Sequence, residues 1–281
     1  MGLALPGCRV LGCLALLALG PPAQAQGAGE EADDRLAAAI AGDHREAANR
    51  ARDVYRHPYE TLSFFGLRPD MTVVEIWPGR GWYTEILAPY LKGSGRYYAA
   101  SWDRDSDSDF VQRALEAYDE KLAARPDIYG EVVVTELSRR KTRMAPPASA
   151  DLVLTFRNVH NWMKRGYEGA IFEAMFEALK PGGVLGLVEH RGDPEVWQDP
   201  QALSGYVNQD YAVELAERAG FRLVASSEVN ANPKDTKDHP EGVWTLPPSL
   251  RLKEQNREAY VAIGESDRMT LLFRKPSEPD G

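Results

Sequence analysis

Beyond residue 13 the chain has no cysteine; Cys8 and Cys13 are its only two. The rest of the protein therefore forms no disulfide and does no thiolate chemistry, a composition that fits an oxidising compartment. Positive charge is also scarce, with 33 Lys and Arg against 42 Asp and Glu and a net charge of −9. Such a surface repels polyanions, so a nucleic-acid partner is disfavoured, and the short run Arg139-Arg140-Lys141-Thr142-Arg143 reads as a solvated loop. Internal repeats and low-complexity tracts are missing too. The longest apolar run, Val10 to Gly20, is too short to span a bilayer comfortably. It follows a single charge, Arg9, and precedes Ala23-Gln24-Ala25, the small-x-small pattern of a signal-peptidase site. Residues 1–25 thus read as a secretory signal cleaved after Ala25, with export to a periplasm or the medium and no stable membrane insertion afterwards. Its removal deletes one positive charge and no negative one, taking the net charge from −9 to −10.

What remains is ordinary in composition, 43% hydrophobic and 27% charged, and long enough for a sizeable core. Residues 26–66 form an N-terminal helical segment, with Asp34 and Asp43 as candidate helix caps and a break at Gly42. From Met71, apolar strands alternate with amphipathic helices, the signature of a parallel sheet covered on both faces. Strands are expected at 72–76, 96–101, 131–135, 151–156, 184–189, 221–229 and 268–273, with Lys180-Pro181-Gly182-Gly183 as a tight turn. Helices are expected at 83–91, 109–124, 169–179 and 208–219. Between the last two strands, residues 230–266 are too many for a hairpin. Their aromatic and proline content, as in Trp244-Thr245-Leu246-Pro247-Pro248, reads as an ordered lid inserted into a domain over 67–281.

The most informative stretch is Val73-Val74-Glu75-Ile76-Trp77-Pro78-Gly79-Arg80-Gly81-Trp82-Tyr83-Thr84, an apolar strand that runs into a Gly-x-Gly loop opening a helix. Glycines at Gly79 and Gly81 let the backbone approach a ligand, and the helix amides favour a carboxylate or phosphate. A dinucleotide site wants three spaced glycines and an acid about 20 residues later; here Glu75 sits beside the loop itself. The stretch resembles motif I of the class I S-adenosylmethionine (SAM) dependent methyltransferases. The Lys-Pro-Gly-Gly turn and the Ala-Gly-Phe step at 219–221 are similar to features of that superfamily. The resemblance spans about residues 55–275 and extends to predicted exported bacterial methyltransferases of unassigned substrate. It implies a Rossmann-like α/β fold with a seven-stranded, mostly parallel sheet in the order 3-2-1-4-5-7-6, helices on both faces, and SAM as cofactor.

In that frame Gly79 and Gly81 pass the methionyl part of SAM, and Glu75 holds its amino group. Trp77 stands where the superfamily has its first glycine, so its ring either stacks on the cofactor, favouring the sulfonium by cation–π attraction, or packs on the sheet. Asp103, after strand two, is the candidate acceptor for both ribose hydroxyls, and Glu136, after strand three, for the adenine amino group. The alternation Asp103, Asp105, Asp107, Asp109 also reads as helix capping. Its calcium-loop offsets, completed by Glu116, fail at Phe110, where such a loop needs glycine; no metal is expected. Strand four delivers Arg157-Asn158-Val159-His160-Asn161-Trp162 to the carboxyl edge, similar to the His-Asp-Trp of small-molecule O-methyltransferases. His160 is thus the candidate base for an acceptor hydroxyl, with His190 a second candidate at the same edge. Asn-Pro-Pro-Tyr type motifs of base methylation are absent, so the expected partner is a small or medium organic acceptor. A second reading is a non-catalytic, nucleoside-like binding protein on the same scaffold, favoured by Trp77 and by the lack of an obvious periplasmic SAM supply. A nicotinamide oxidoreductase is the weakest of the three, for want of a glycine.

Overall fold

A computed structural model describes residues 1–2 and 23–277, with side chains from residue 31 in the first helix. Most of the expected signal segment, including both cysteines, lies outside the described residues. Helix α1, Ala23–Ala41, is followed by three short helices, α2 Ala47–Arg50, α3 Asp53–Arg56 and α4 Pro58–Phe64. The alternating part then reads β1 Thr72–Ile76, α5 Thr84–Leu91, β2 Arg96–Ser101, α6 Asp109–Ala124, α7 Pro126–Tyr129, β3 Val133–Glu136 and β4 Ala150–Phe156. It continues α8 Val159–Met163, α9 Glu168–Ala178, β5 Leu179–His190, α10 Gln209–Arg218 and β6 Arg222–Ser227. After a 3₁₀ turn at Gly242–Thr245 come α11 Arg257–Ile263 and β7 Arg268–Arg274.

The seven strands form one open sheet in the order β3-β2-β1-β4-β5-β7-β6. All pairs are parallel except β5 with β7 and β6 with β7. This is the order that the resemblance to the class I methyltransferases implied, with a Rossmann-like arrangement of helices on both faces. Strand alternation builds its two cores. Val73, Tyr97, Ala99, Leu152 and Leu154 face a layer holding Leu36, Leu62, Ile86 and Tyr90. Their neighbours Val74, Tyr98, Ala100 and Val153 face Trp162, Ile171, Phe172 and Met175. A strand buried on both faces needs apolar residues at consecutive positions, which is why these segments read as unbroken apolar runs.

Three expectations are corrected. Asp43, a candidate cap in the N-terminal segment, does not cap the helix that follows: α2 starts after Glu46 and is separated from α3, with Arg45 drawn into a bidentate pair with Asp53 at 2.7 and 2.9 Å. The Lys180–Gly183 turn is carried inside β5, whose pairing with β4 slips between Ala150 and Leu152 to accommodate it. Strand β3 begins two residues later than expected and includes Glu136.

The insertion between β6 and β7 is ordered and pinned at its base. Asp235, fully buried, accepts from Tyr206 Oη (2.8 Å), from the Asp267 amide (2.8 Å) and from the Lys237 amide (3.0 Å), with His239 Nε2 at 2.9 Å. Asp267 in turn takes a bidentate pair from Arg191. Among the described residues, no helix is long and apolar enough to cross a membrane.

Candidate active site

A cavity of about 470 Å³ opens at the carboxyl ends of the central strands, where open α/β sheets place ligands. Its walls come from the loop after β1 (Trp77, Pro78, Gly79, Arg80), the turn after β4 (Arg157, Asn158, His160), and the facing ends of β5 and β7 (His190, Arg268). The helices before the sheet and the insertion, through Val243, Trp244, Pro247 and Pro248, close it.

The β1 loop turns sharply, with positive φ at Trp77 (46°), Gly79 (64°) and Gly81 (83°). At Gly79 a side chain would meet no atom within 4 Å, so its bare backbone is open to the cavity. At Gly81, φ 83°, a Cβ would press on Lys121 and Tyr118 of α6 at 3.1 and 3.2 Å, so this glycine serves the turn and its packing. Trp77 keeps pairing through its amide to Ala100, and its indole leaves the loop to donate to the Leu137 carbonyl at 3.0 Å. The ring meets Trp162 edge-on and tilts against Trp102. It lines the cavity and fills the space between the ends of β1 and β3.

After β4 the chain turns through Arg157, φ 61°. Asn158 Nδ2 holds the turn by donating to Ile76 O at 3.0 Å, and the buried Trp162 anchors α8 beneath it. The start of α8 is capped from another strand: Glu189 Oε2 accepts from the Val159 amide at 2.6 Å. Glu189 Oε1 accepts from the His190 amide (2.8 Å) and lies 3.0 Å from His160 Nδ1. A carboxylate only accepts, so the Nδ1–H of His160 donates to it, and in the neutral ring the lone pair therefore lies on Nε2. His160 lines the cavity beside His190, ring centroids 5.4 Å apart, and meets Trp244 of the insertion edge-on at 6.0 Å. His190 Nδ1 lies 2.5 Å from Ser266 Oγ. Burial, helped by the neighbouring charges, holds His190 well below the ordinary histidine range, so it is neutral at neutral pH. His160, Glu189 and His190 are a set of metal-ligating types with donor atoms within 4.8 Å. Both Glu189 oxygens are taken up by protein donors, however, which assigns that acid to orienting His160.

The expected carboxylates stand elsewhere. Glu75 is 3% exposed and does not line the cavity; it accepts from Tyr97 Oη and, at 3.4 Å, from Thr84 Oγ1. Burial pushes its pKa up to about 7 against the pull of those two bonds. Asp103 and Glu136 converge on the ammonium of Lys141, each at 2.7 Å. That bond, with others from the Asp105 amide and Ser138, holds Asp103 down to about 2. Neither lines the cavity. Lys141 also takes Asp105, so two of the four aspartates of the acidic run belong to an ion cluster, while Asp109 opens α6; Phe110, where a calcium loop needs glycine, lines the cavity instead. Of the site residues expected from sequence, Trp77, Gly79 and His160 share the cavity, and Glu75, Gly81, Asp103 and Glu136 lie outside it.

Sequence reasoning missed the arginines. Arg52, Arg56, Arg80, Arg113, Arg157 and Arg268 all line the cavity, and no Asp or Glu does. Glu265 supports three of them from behind, within ion-pair distance of Arg52 (2.6 Å), Arg56 (3.7 Å) and Arg268. Burial would raise the Glu265 pKa, yet the three guanidiniums hold it well below the carboxylate range. The signal was present in part, since Arg52 and Arg56 stand four apart and Arg157 adjoins the His160 segment.

No family profile matches the chain, and no curated protein matches it in sequence. Solved structures do share its fold. A SAM-dependent methyltransferase from Aquifex aeolicus is 16% identical at a TM-score of 0.54, over 80% of this chain and 93% of its own. A candidate sarcosine dimethylglycine methyltransferase from Galdieria sulphuraria is 12% identical at 0.54, over 89% and 99%. The [4+2]-cyclase SpnF is 14% identical at 0.54, over 92% and 98%. The likeness establishes the class I methyltransferase fold; the presence of a cyclase among the neighbours shows that this fold hosts more than one chemistry.

The residues present suit SAM in part. The open backbone at Gly79 and the aromatic faces of Trp77, Trp102 and Phe110 match a methionyl chain, a sulfonium and a stacked base. The ribose acid does not match, because Asp103 is spent on Lys141 outside the cavity.

Proposed function

We propose that this chain is a SAM-dependent methyltransferase for a small or medium organic acceptor, and that the methyl group goes to a hydroxyl oxygen. The observation that carries the proposal is the Glu189–His160 pair, set at the strand ends in a cavity whose other wall is the Gly-x-Gly loop. Bound SAM would supply the electrophilic methyl group, its carbon–sulfur electron pair staying with sulfur when the acceptor oxygen takes the methyl. The hydroxyl proton goes to His160 Nε2, and Glu189 stabilises the resulting imidazolium through Nδ1–H. Neutral His190 beside it adds no competing charge, and Trp244 and the paired prolines of the insertion limit water at the oxygen. The signal-like residues 1–25 support export as the setting.

A second reading, a non-catalytic binder of a nucleoside-like metabolite, is favoured by the Trp77 indole on Leu137 and by the neutralisation of Asp103 and Glu136. The test is conversion of SAM to its demethylated product by the full chain across a panel of hydroxylated acceptors. Acceptor-dependent conversion, lost in His160→Ala, supports the enzyme. Tight nucleoside binding without any conversion supports the binder.

A further inference from the structure

The deep end of the cavity is a cluster of cations without matching anions. Arg56 and Arg268 are 3% and 2% exposed. With Arg52 they share a single carboxylate, Glu265. The Arg157 guanidinium lines the cavity and has no hydrogen-bond or ion-pair partner among the described residues. The fold forces these groups together. Arg268 pairs directly with His190 across β5 and β7, and the Arg157 amide bonds Val188 O two residues before His190. Arg52 and Arg56 lie one helical turn apart in the segment that closes over the strand ends. Nη2 of Arg52 and Nε of Arg268 are buried donors without a partner. Four guanidiniums face one carboxylate, in a protein whose acids outnumber its bases overall.

Burial of unpaired charge costs several kcal/mol per ion unless something compensates, and the cluster shows that cost. Burial pushes Arg157 down to about 10, with Arg268 adding to the effect, and Arg56 is lowered well below its ordinary value by burial and by Arg157. The cofactor proposed above does not relieve it, since its sulfonium and ammonium outnumber its single carboxylate. The compensating charge has to arrive with the other ligand.

We propose that the acceptor is a multiply charged oxyanion, a hydroxylated phosphate ester or polycarboxylate. Its anionic group is held by Arg157, Arg268, Arg56 and Arg52, and its hydroxyl is turned toward His160. Guanidiniums present planar pairs of donors that match phosphate and carboxylate oxygens, and the aromatic walls at Trp82 and Trp244 border the organic part. Trp82 already carries Arg56 over its ring at 4.6 Å, which fixes that guanidinium before ligand arrives. As an acceptor assignment the inference rests on the methyltransferase reading; as an anion site it does not.

The experiment is titration calorimetry of the full chain with inorganic phosphate and, separately, with citrate, each in the absence and presence of SAM. The expected result is saturable binding of at least one probe, which identifies phosphate or carboxylate as the source. Arg157→Gln should weaken it at least about tenfold, Arg157→Lys less, and Arg218→Gln, a surface control, not at all. A folded wild-type chain that binds neither probe overturns the inference, as does equal binding by wild type and both Arg157 variants. SAM titrations on the same samples read the methyltransferase proposal separately. Anion binding without SAM binding removes the donor and leaves the anion site; SAM binding without anion binding does the reverse.

Discussion

Glu75 gives the fold a pH dependence of known sign. Its carboxyl is fully buried, and its pKa stands at about 7 in the folded protein against an ordinary value of 4.5. Below pH 4.5 the group is protonated in both folded and unfolded chains, and its contribution is fully present. As pH rises from about 4.5 to about 7, the unfolded chain releases the proton first, so stability falls. Above 7 the folded protein carries a buried carboxylate, and the loss is complete. The difference between the two values corresponds to about 3 kcal/mol. Glu75→Gln removes the titration and keeps an acceptor for Tyr97 Oη and Thr84 Oγ1. Chemical denaturation of both proteins between pH 4 and 9 isolates the effect, because other titrating groups cancel in the difference. The variant should be equal to or slightly less stable than wild type at the acid end, and gain about 3 kcal/mol on it by the alkaline end. A difference that is flat with pH, or one that favours wild type as pH rises, would refute the assignment of burial as the dominant cause.

Other perturbations separate the roles of the cavity residues. His160→Ala should retain SAM binding and lose about 10²- to 10⁴-fold in turnover, with Glu189→Gln losing both turnover and stability because three hydrogen bonds meet on that side chain. Glu265→Gln leaves three buried or half-buried guanidiniums without their shared counter-charge; thermal unfolding should show a loss of about 3–5 kcal/mol, part of it recovered in citrate or phosphate. In Lys141→Ala the Asp103 carboxyl should rise from about 2 toward its ordinary value, because the Lys141 bond is the largest cause of its lowering; carboxyl NMR titration reads the change. Trp162→Phe leaves a void beside Trp77 and Phe172 but breaks no hydrogen bond, since the buried indole Nε1 has no partner; thermal unfolding should show a loss of about 1–3 kcal/mol.

The sheet was legible because its strands are buried on both faces and bounded by turn residues: Thr72–Ile76 and Arg96–Ser101 coincide with their expected limits. Short elements were not. The helices at Pro126–Tyr129, Val159–Met163 and Arg257–Ile263 are too brief for a 3.6-residue period to declare itself. The candidate site was legible where one segment carries it, as with Gly79 and His160. It was hidden where distant segments meet. Lys141, in a run that reads as solvated loop, closes on Asp103 and Glu136 and withdraws both from any ligand. Arg52 and Arg268 join at Glu265, a convergence that no local pattern encodes and that an overall net charge of −9 conceals. Glu75 kept its predicted place at the loop, but its side chain leaves the ligand side because Tyr97 and Thr84 offer it hydroxyls beneath the sheet end.

The central claim is that the cavity at the strand ends takes SAM beside the Glu189–His160 pair. Titration calorimetry of the full chain with SAM and with its demethylated product tests it most directly, wild type against Gly79→Leu, whose side chain would enter the space open at Gly79. The account predicts binding on the order of micromolar for wild type and its loss in the variant. Well-folded wild-type protein that binds neither compound would contradict it.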